Sequence, residues 1–171
     1  LAADDVLADL PEGERRQRLV PLRRLAAAPA DAVTREARRT AVGRLSDLLL
    51  ELGEAPEAVT LLTQVDLPPD PELTELRFRA TALAGEYDEA AAIRDAPEGW
   101  VELLTWSVAR PAIDPSALRD EIARRFEDRL EGATRTAFEA ASTTLTERGD
   151  ERQGNGQVTG DRSSRVRAGE E

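Results

Sequence analysis

Apolar residues recur along this chain at intervals of three and four, the spacing that gathers them on one face of an α-helix. Between Glu14 and Ala28 the stripe is Leu19, Leu22 and Leu25, with Arg15, Arg16, Arg18, Arg23 and Arg24 around the remainder and Pro21 as a kink or delayed start. Pro29 follows, and Asp31 is a suitable cap for a second helix in which Val33, Ala37, Ala41, Leu45, Leu48, Leu49 and Leu52 recur up to Gly53. Ala58, Leu61, Leu62 and Val65 mark a third helix, and Pro68, Pro69 and Pro71 a rigid connector. Leu73, Leu76, Ala80 and Leu83 mark a fourth that stops at Gly85; a return helix over 86–96 is closed by Pro97 and Gly99.

Trp100 to Ala109 reads as the next helix, and Pro111 and Pro115 bracket a turn. Capped by Asp114 or Ser116, a long helix then carries Leu118, Ile122, Phe126, Leu130, Ala133, Ala137, Ala141 and Leu145, with Gly132 as the place where one helix would become two. A short apolar and acidic helix over Ala2 to Leu10 precedes them all. No stretch alternates with the period of two that a strand needs. Beyond residue 147 the chain is Gly, Arg, Ser, Asp and Gln with isolated valines, too polar to bury itself. The expected organisation is therefore all-α: N-terminal helices over 1–37, a region of helical hairpins ending in a long C-terminal helix over 38–146, and a disordered tail over 147–171.

Composition narrows the chemistry. The chain has 171 residues and no Cys or His, which removes thiolate and imidazole metal sites, disulfides and the usual nucleophile–base pairs. Carboxylates are plentiful, yet none has the spacing of a metal loop or a paired acid–base site. The expectation is a non-enzyme without cofactor or metal. No run of about 18 apolar residues exists to span a membrane, and the default location is the cytoplasm. All 23 basic residues are Arg, and no Met is present even at position 1, so the chain reads as a fragment or a processed form.

Charge is unevenly spread. Residues 1–50 carry 9 Arg against 8 acids, residues 51–109 carry 3 against 13, and residues 110–171 carry 11 against 13. The middle holds nearly all of the net charge of −11. Such a field repels nucleic-acid backbones and attracts basic proteins or peptides, although acids on solvated helix faces explain the same numbers.

Two stretches share one phrase. Gly53-Glu54-Ala55-Pro56-Glu57-Ala58 and Gly85-Glu86-Tyr87-Asp88-Glu89-Ala90 are both Gly-Glu-x-x-Glu-Ala, offset by 32 residues, and each lies between two helices. Gly suits the left-handed residue that ends a helix, the acids suit the positive start of the next, and the small Ala lets the pair approach. This resembles the turn of a tetratricopeptide repeat. In the first unit Leu45 and Ser46 fall at the family's Leu-Gly, Leu49 at its Tyr, Ala58 at its second-helix Ala, Leu62 at its aromatic residue and Pro68–Pro69 near its closing Pro, with Val42 in place of its Trp. In the second, Arg77 and Phe78 stand at Leu-Gly and Arg94 at the aromatic position; a third unit is visible only as a helix pair.

The resemblance implies stacked antiparallel hairpins, an α-α superhelix, whose first helices line a concave groove that holds a partner's peptide or helix. Thr40, Asp47 and Leu50 are then the outward candidates of the first unit, and Arg77 and Arg79 of the second, where they fix a partner carboxylate or pair with Glu72 and Glu75. Trp100 and Trp106 are six apart, about 120° around a helix, so both cannot face one seam; an exposed one would anchor a partner. The plainer reading is a non-repetitive bundle whose two hairpins share turn chemistry. Other functions that fit are a self-associating module paired through Ser116 to Leu145 and a regulatory domain of a larger protein.

Overall fold

A computed structural model describes residues 11–29, 32–68 and 70–156. The expected helix over Ala2 to Leu10, the Asp31 cap and the stretch 157–171 lie outside the described residues. Among those described, every regular element is helical: α1 Glu12–Ala27, α2 Arg35–Glu51, α3 Ala55–Gln64, α4 Pro71–Leu83, α5 Tyr87–Ile93, α6 Pro97–Val108, α7 Ser116–Phe126, a 3-10 turn Glu127–Arg129, and α8 Gly132–Gly156.

Local chemistry explains most boundaries. The α2 cap is Thr34, whose Oγ1 accepts from the Ala37 N–H at 3.2 Å, so Val33 lies outside the helix and the expected boundary at 37 falls inside it. Asp70 caps α4, its Oδ1 accepting from the N–H groups of Glu72 and Leu73. These bonds hold the Asp70 carboxyl below its ordinary pKa, with the Arg39 guanidinium acting the same way. Helix α1 is continuous through Pro21, which lies on its exposed side.

The two shared turns are the same structure twice. Gly53 has φ 77° and Gly85 φ 85°. The Gly53 N–H donates to the Leu50 carbonyl at 3.1 Å and the Glu54 N–H to that of Leu49 at 2.8 Å; Gly85 donates to Ala82 at 3.2 Å and Glu86 to Thr81 at 3.0 Å. This pair of bonds is the Schellman closure of a helix C-terminus. Ala58 and Ala90, one turn into the following helices, are both completely buried.

Packing proceeds along the chain: α1 on α2, α2 on α3, α3 on α4, α4 on α5, with α2 also touching α4, and α6 on both α7 and α8. Two apolar cores result. Leu19, Leu45, Leu48, Leu49, Leu76 and Ala80 belong to the first; Phe78, Ala82, Trp100, Leu104, Ile122 and Phe126 belong to the second. Helix α4 serves both, Leu76 and Ala80 facing one way and Phe78 and Ala82 the other. Buried on two sides, it needs no single apolar stripe, which accounts for the irregular pattern around Arg77 and Phe78.

The C-terminal third departs from the periodic reading. Pro97 does not close α5 but opens α6 as its first residue, where the missing N–H costs nothing. Gly99 is buried inside α6, and a Cβ there would come within 2.4 Å of the Arg94 guanidinium. The stretch from Ser116 to Leu145 is two helices separated by the 3-10 turn. Ala133 and Ala137 face solvent, as do Leu25 and Ala37 earlier; α8 packs through Phe138, Ala141 and Leu145. Helix α8 also continues to Gly156, so the chain is still helical where the tail is expected to begin at 147.

Candidate partner-binding surface

The seven residues singled out by sequence separate into three groups. Leu50 is buried in the first core at 1% exposure and Trp100 in the second at 0%, so neither can touch a partner. Trp100 is occupied from every side: its Nε1–H donates to the Arg94 carbonyl at 2.8 Å and its ring meets Phe78, Tyr87 and Phe126. Thr40 and Arg77 are exposed but far apart in setting. Thr40 borders an open groove with Leu22, Leu25 and Ala37 between α1 and α2, whereas Arg77 borders a small cavity of about 110 Å³ with Val42, Leu62 and Leu73.

Asp47, Arg79 and Trp106 are brought together, on α2, α4 and α6. Trp106 is half-buried and packs against the edges of both cores. The Arg110 guanidinium lies 3.7 Å over its ring, and that of Arg79 lies 5.9 Å from the ring centroid. Arg79 Nε donates to Glu75 at 3.2 Å, the pairing within the helix that its spacing suggests. Arg110 Nη2 stands 3.8 Å from Glu51 Oε1 and its Nη1 donates to the Trp106 carbonyl at 2.8 Å. Burial lowers the pKa of Arg110; Glu51 opposes that shift, Arg79 adds to it, and Asp47 opposes it in turn. An aromatic ring flanked by two guanidiniums, with Asp47 and Glu51 alongside, has the residue types that dominate protein interfaces, and each stacked cation contributes about 0.5–2 kcal/mol.

Glu51 and Arg110 escaped the sequence reading. Each lies one helical turn beyond a residue that did not, Glu51 after Asp47 and Arg110 after Trp106, so the i,i+4 relation held the signal.

A second charged cluster joins α5 to α7. Glu121, 8% exposed, accepts from Arg124 Nε and Nη2 at 2.8 and 2.6 Å and from Arg125 Nε at 2.8 Å, while Arg125 Nη2 donates to Asp88 at 2.6 Å. The Arg124 bonds hold the Glu121 carboxyl below its ordinary pKa against the effect of burial. Burial and the nearby charges of Glu121 and Asp120 raise the Tyr87 hydroxyl. A carboxylate kept ionised and fully bonded is a structural tie and a poor proton carrier. Among the described residues no group of three or more acids is placed to hold a metal ion, and no helix is long and apolar enough to cross a membrane. Set against family models, curated proteins and solved structures, the chain matches none.

Proposed function

We propose that this chain is a short tetratricopeptide-like array that holds a segment of another protein on the face formed by α2, α4 and α6, centred on Trp106. The observation that carries the reading is the half-buried Trp106 between Arg79 and Arg110, on a face to which α2 contributes Asp47 and Glu51. Its support on the side of the fold is the recurrence of one Schellman-closed hairpin at an offset of 32 residues, with α2 touching α4 directly, the neighbour-on-neighbour packing of such arrays. The acidic middle of the chain favours a basic segment as the occupant.

Capture on immobilised protein tests this. Wild type is compared with Trp106→Ala, with Asp47→Arg at an exposed position of α2, and with Glu131→Arg as a control at an exposed position before α8. Proteins recovered by wild type and the control but lost from the other two support the reading. Equal recovery by all four overturns it. For a basic occupant, recovery also falls steeply with added salt.

A further inference from the structure

Arg148 makes contacts out of proportion to its place in the chain. It lies on α8, and its guanidinium donates to four backbone carbonyls of one loop: Nη1 to Val108 and Arg110, both at 3.1 Å, and Nη2 to Pro111 at 2.8 Å and Ile113 at 3.3 Å. Helix α6 ends at Val108, so these carbonyls include ones that a helix leaves unsatisfied at its negative end. A planar, forked cation suits four converging acceptors; a lysine ammonium has three donors at a single point.

The same loop carries Arg110, whose side chain covers the Trp106 ring. Its other side lies against the first hairpin turn, where a Cβ on Gly53 would fall 2.7 Å from the Ala112 carbonyl oxygen. The backbone position of Arg110 is therefore set between Gly53 and Arg148. We infer that Arg148 is a positioning residue for the Trp106 surface: docking of the C-terminal half of α8 seats the backbone from which Arg110 reaches the Trp106 ring, the Trp106 carbonyl and Glu51, and release of Arg148 loosens that seat. Partner affinity and α8 docking are then coupled in both directions, so whatever draws α8 away weakens the surface. This rests on the proposed role of Trp106, but its geometric half can be tested without a partner.

The readout is the indole N–H signal in amide–nitrogen correlation spectra of the full chain, where the two tryptophans give two signals and Trp106→Phe identifies one of them. Arg148→Ala and Arg148→Lys should move the Trp106 signal and leave that of Trp100, bonded to the Arg94 carbonyl, in place. Arg135→Ala is the control: this α8 arginine holds the Leu130 carbonyl at 2.7 Å and no part of the 108–113 loop, and neither signal should move. If Arg148→Ala is poorly folded, Arg148→Lys decides. An unmoved Trp106 signal in a folded variant overturns the inference. In capture, Arg148→Lys should lose about fivefold or more in affinity for any protein that Trp106→Ala fails to recover; full affinity there overturns the coupling. If Trp106→Ala binds as wild type, the partner reading fails while the spectrum still decides the role of Arg148.

Discussion

The first two hairpins close through their own backbones, whereas the third helix pair is closed by side chains brought from elsewhere. At Gly53 and Gly85 a left-handed glycine and two main-chain hydrogen bonds turn the chain within three residues. Between α6 and α7 no glycine is present. The chain takes a longer path through Pro111 and Pro115, and its carbonyls are satisfied by Arg148 from α8. A backbone closure is local and can be repeated; a closure borrowed from a side chain ties the loop to the state of a distant helix. The turns of the first two hairpins are thus held by bonds within six residues, whereas the loop carrying Arg110 is held by a side chain of α8.

Phe78 is where the two regimes meet. It projects from α4, the last helix closed by the repeated turn, and its ring lies 5.5 Å from Trp100 of α6. Phe78→Ala should remove about 3–5 kcal/mol by opening a cavity between the two cores. Thermal unfolding followed by circular dichroism checks it. A loss under about 1 kcal/mol would mean that the repeated hairpins and the C-terminal helices are stable independently of each other.

The two glycines share a conformation but not a neighbourhood. A Cβ at Gly85 meets nothing within 4 Å, while one at Gly53 meets the Ala112 carbonyl oxygen at 2.7 Å. Gly85→Ala should lose only the left-handed strain, about 1–2 kcal/mol. Gly53→Ala should lose that and roughly 1 kcal/mol more, since the obstacle is backbone. Equal losses in chemical denaturation would show that the 109–113 loop yields freely, against the tight seat assigned to it.

These contrasts also explain how far the sequence was legible. The hairpin turns could be read because Gly-Glu-x-x-Glu-Ala encodes the closure within six residues. Pro97 and Gly99 do not show their roles in the sequence because Pro and Gly stop helices more often than they serve inside them; here Pro97 is a first residue, and Gly99 is small because Arg94 passes it on the way to Glu75, 2.7 Å away. The helix beyond 147 was illegible for a different reason. Arg148 bonds to main-chain oxygens 35–40 residues away, and carbonyls leave no mark in a sequence. Of the candidate surface, Asp47 and Arg79 could be picked out as outward candidates on first helices and Trp106 as one of two Trp that cannot share a seam, but the fold alone separated them from Leu50 and Trp100.

Charge ties add a pH dependence to the irregular part. The folded-state pKa of Glu121 is lowered, so the unfolded chain binds more protons in that window and stability there rises with pH. The contribution is complete above the unfolded value, about 4.3, and fades as pH falls through the lowered folded one. Glu121→Gln should lose roughly 1–2 kcal/mol at neutral pH through its weakened bonds to Arg124 and Arg125. The gap from wild type should narrow below about pH 4. A gap that stays constant with pH would assign the loss to packing and not to the ionised Glu121 carboxylate.

The smallest expected effect has the opposite sign and returns to the two hairpins. Ser46 stands 32 residues before Phe78, at the same place in its hairpin, and both are completely buried. Where Phe78 fills space between two cores, the Ser46 Oγ is buried with no hydrogen-bond partner among the described residues. An unsatisfied hydroxyl costs desolvation and returns nothing, so Ser46→Ala should leave stability unchanged or raise it by up to about 1 kcal/mol. A clear loss in the melting temperature would mean that the hydroxyl is bonded after all, to a buried water or to the chain outside the described residues. Together with Phe78→Ala, the variant separates two demands on one repeat position: in the first hairpin it must only be small, and in the second it must join the array to the C-terminal helices.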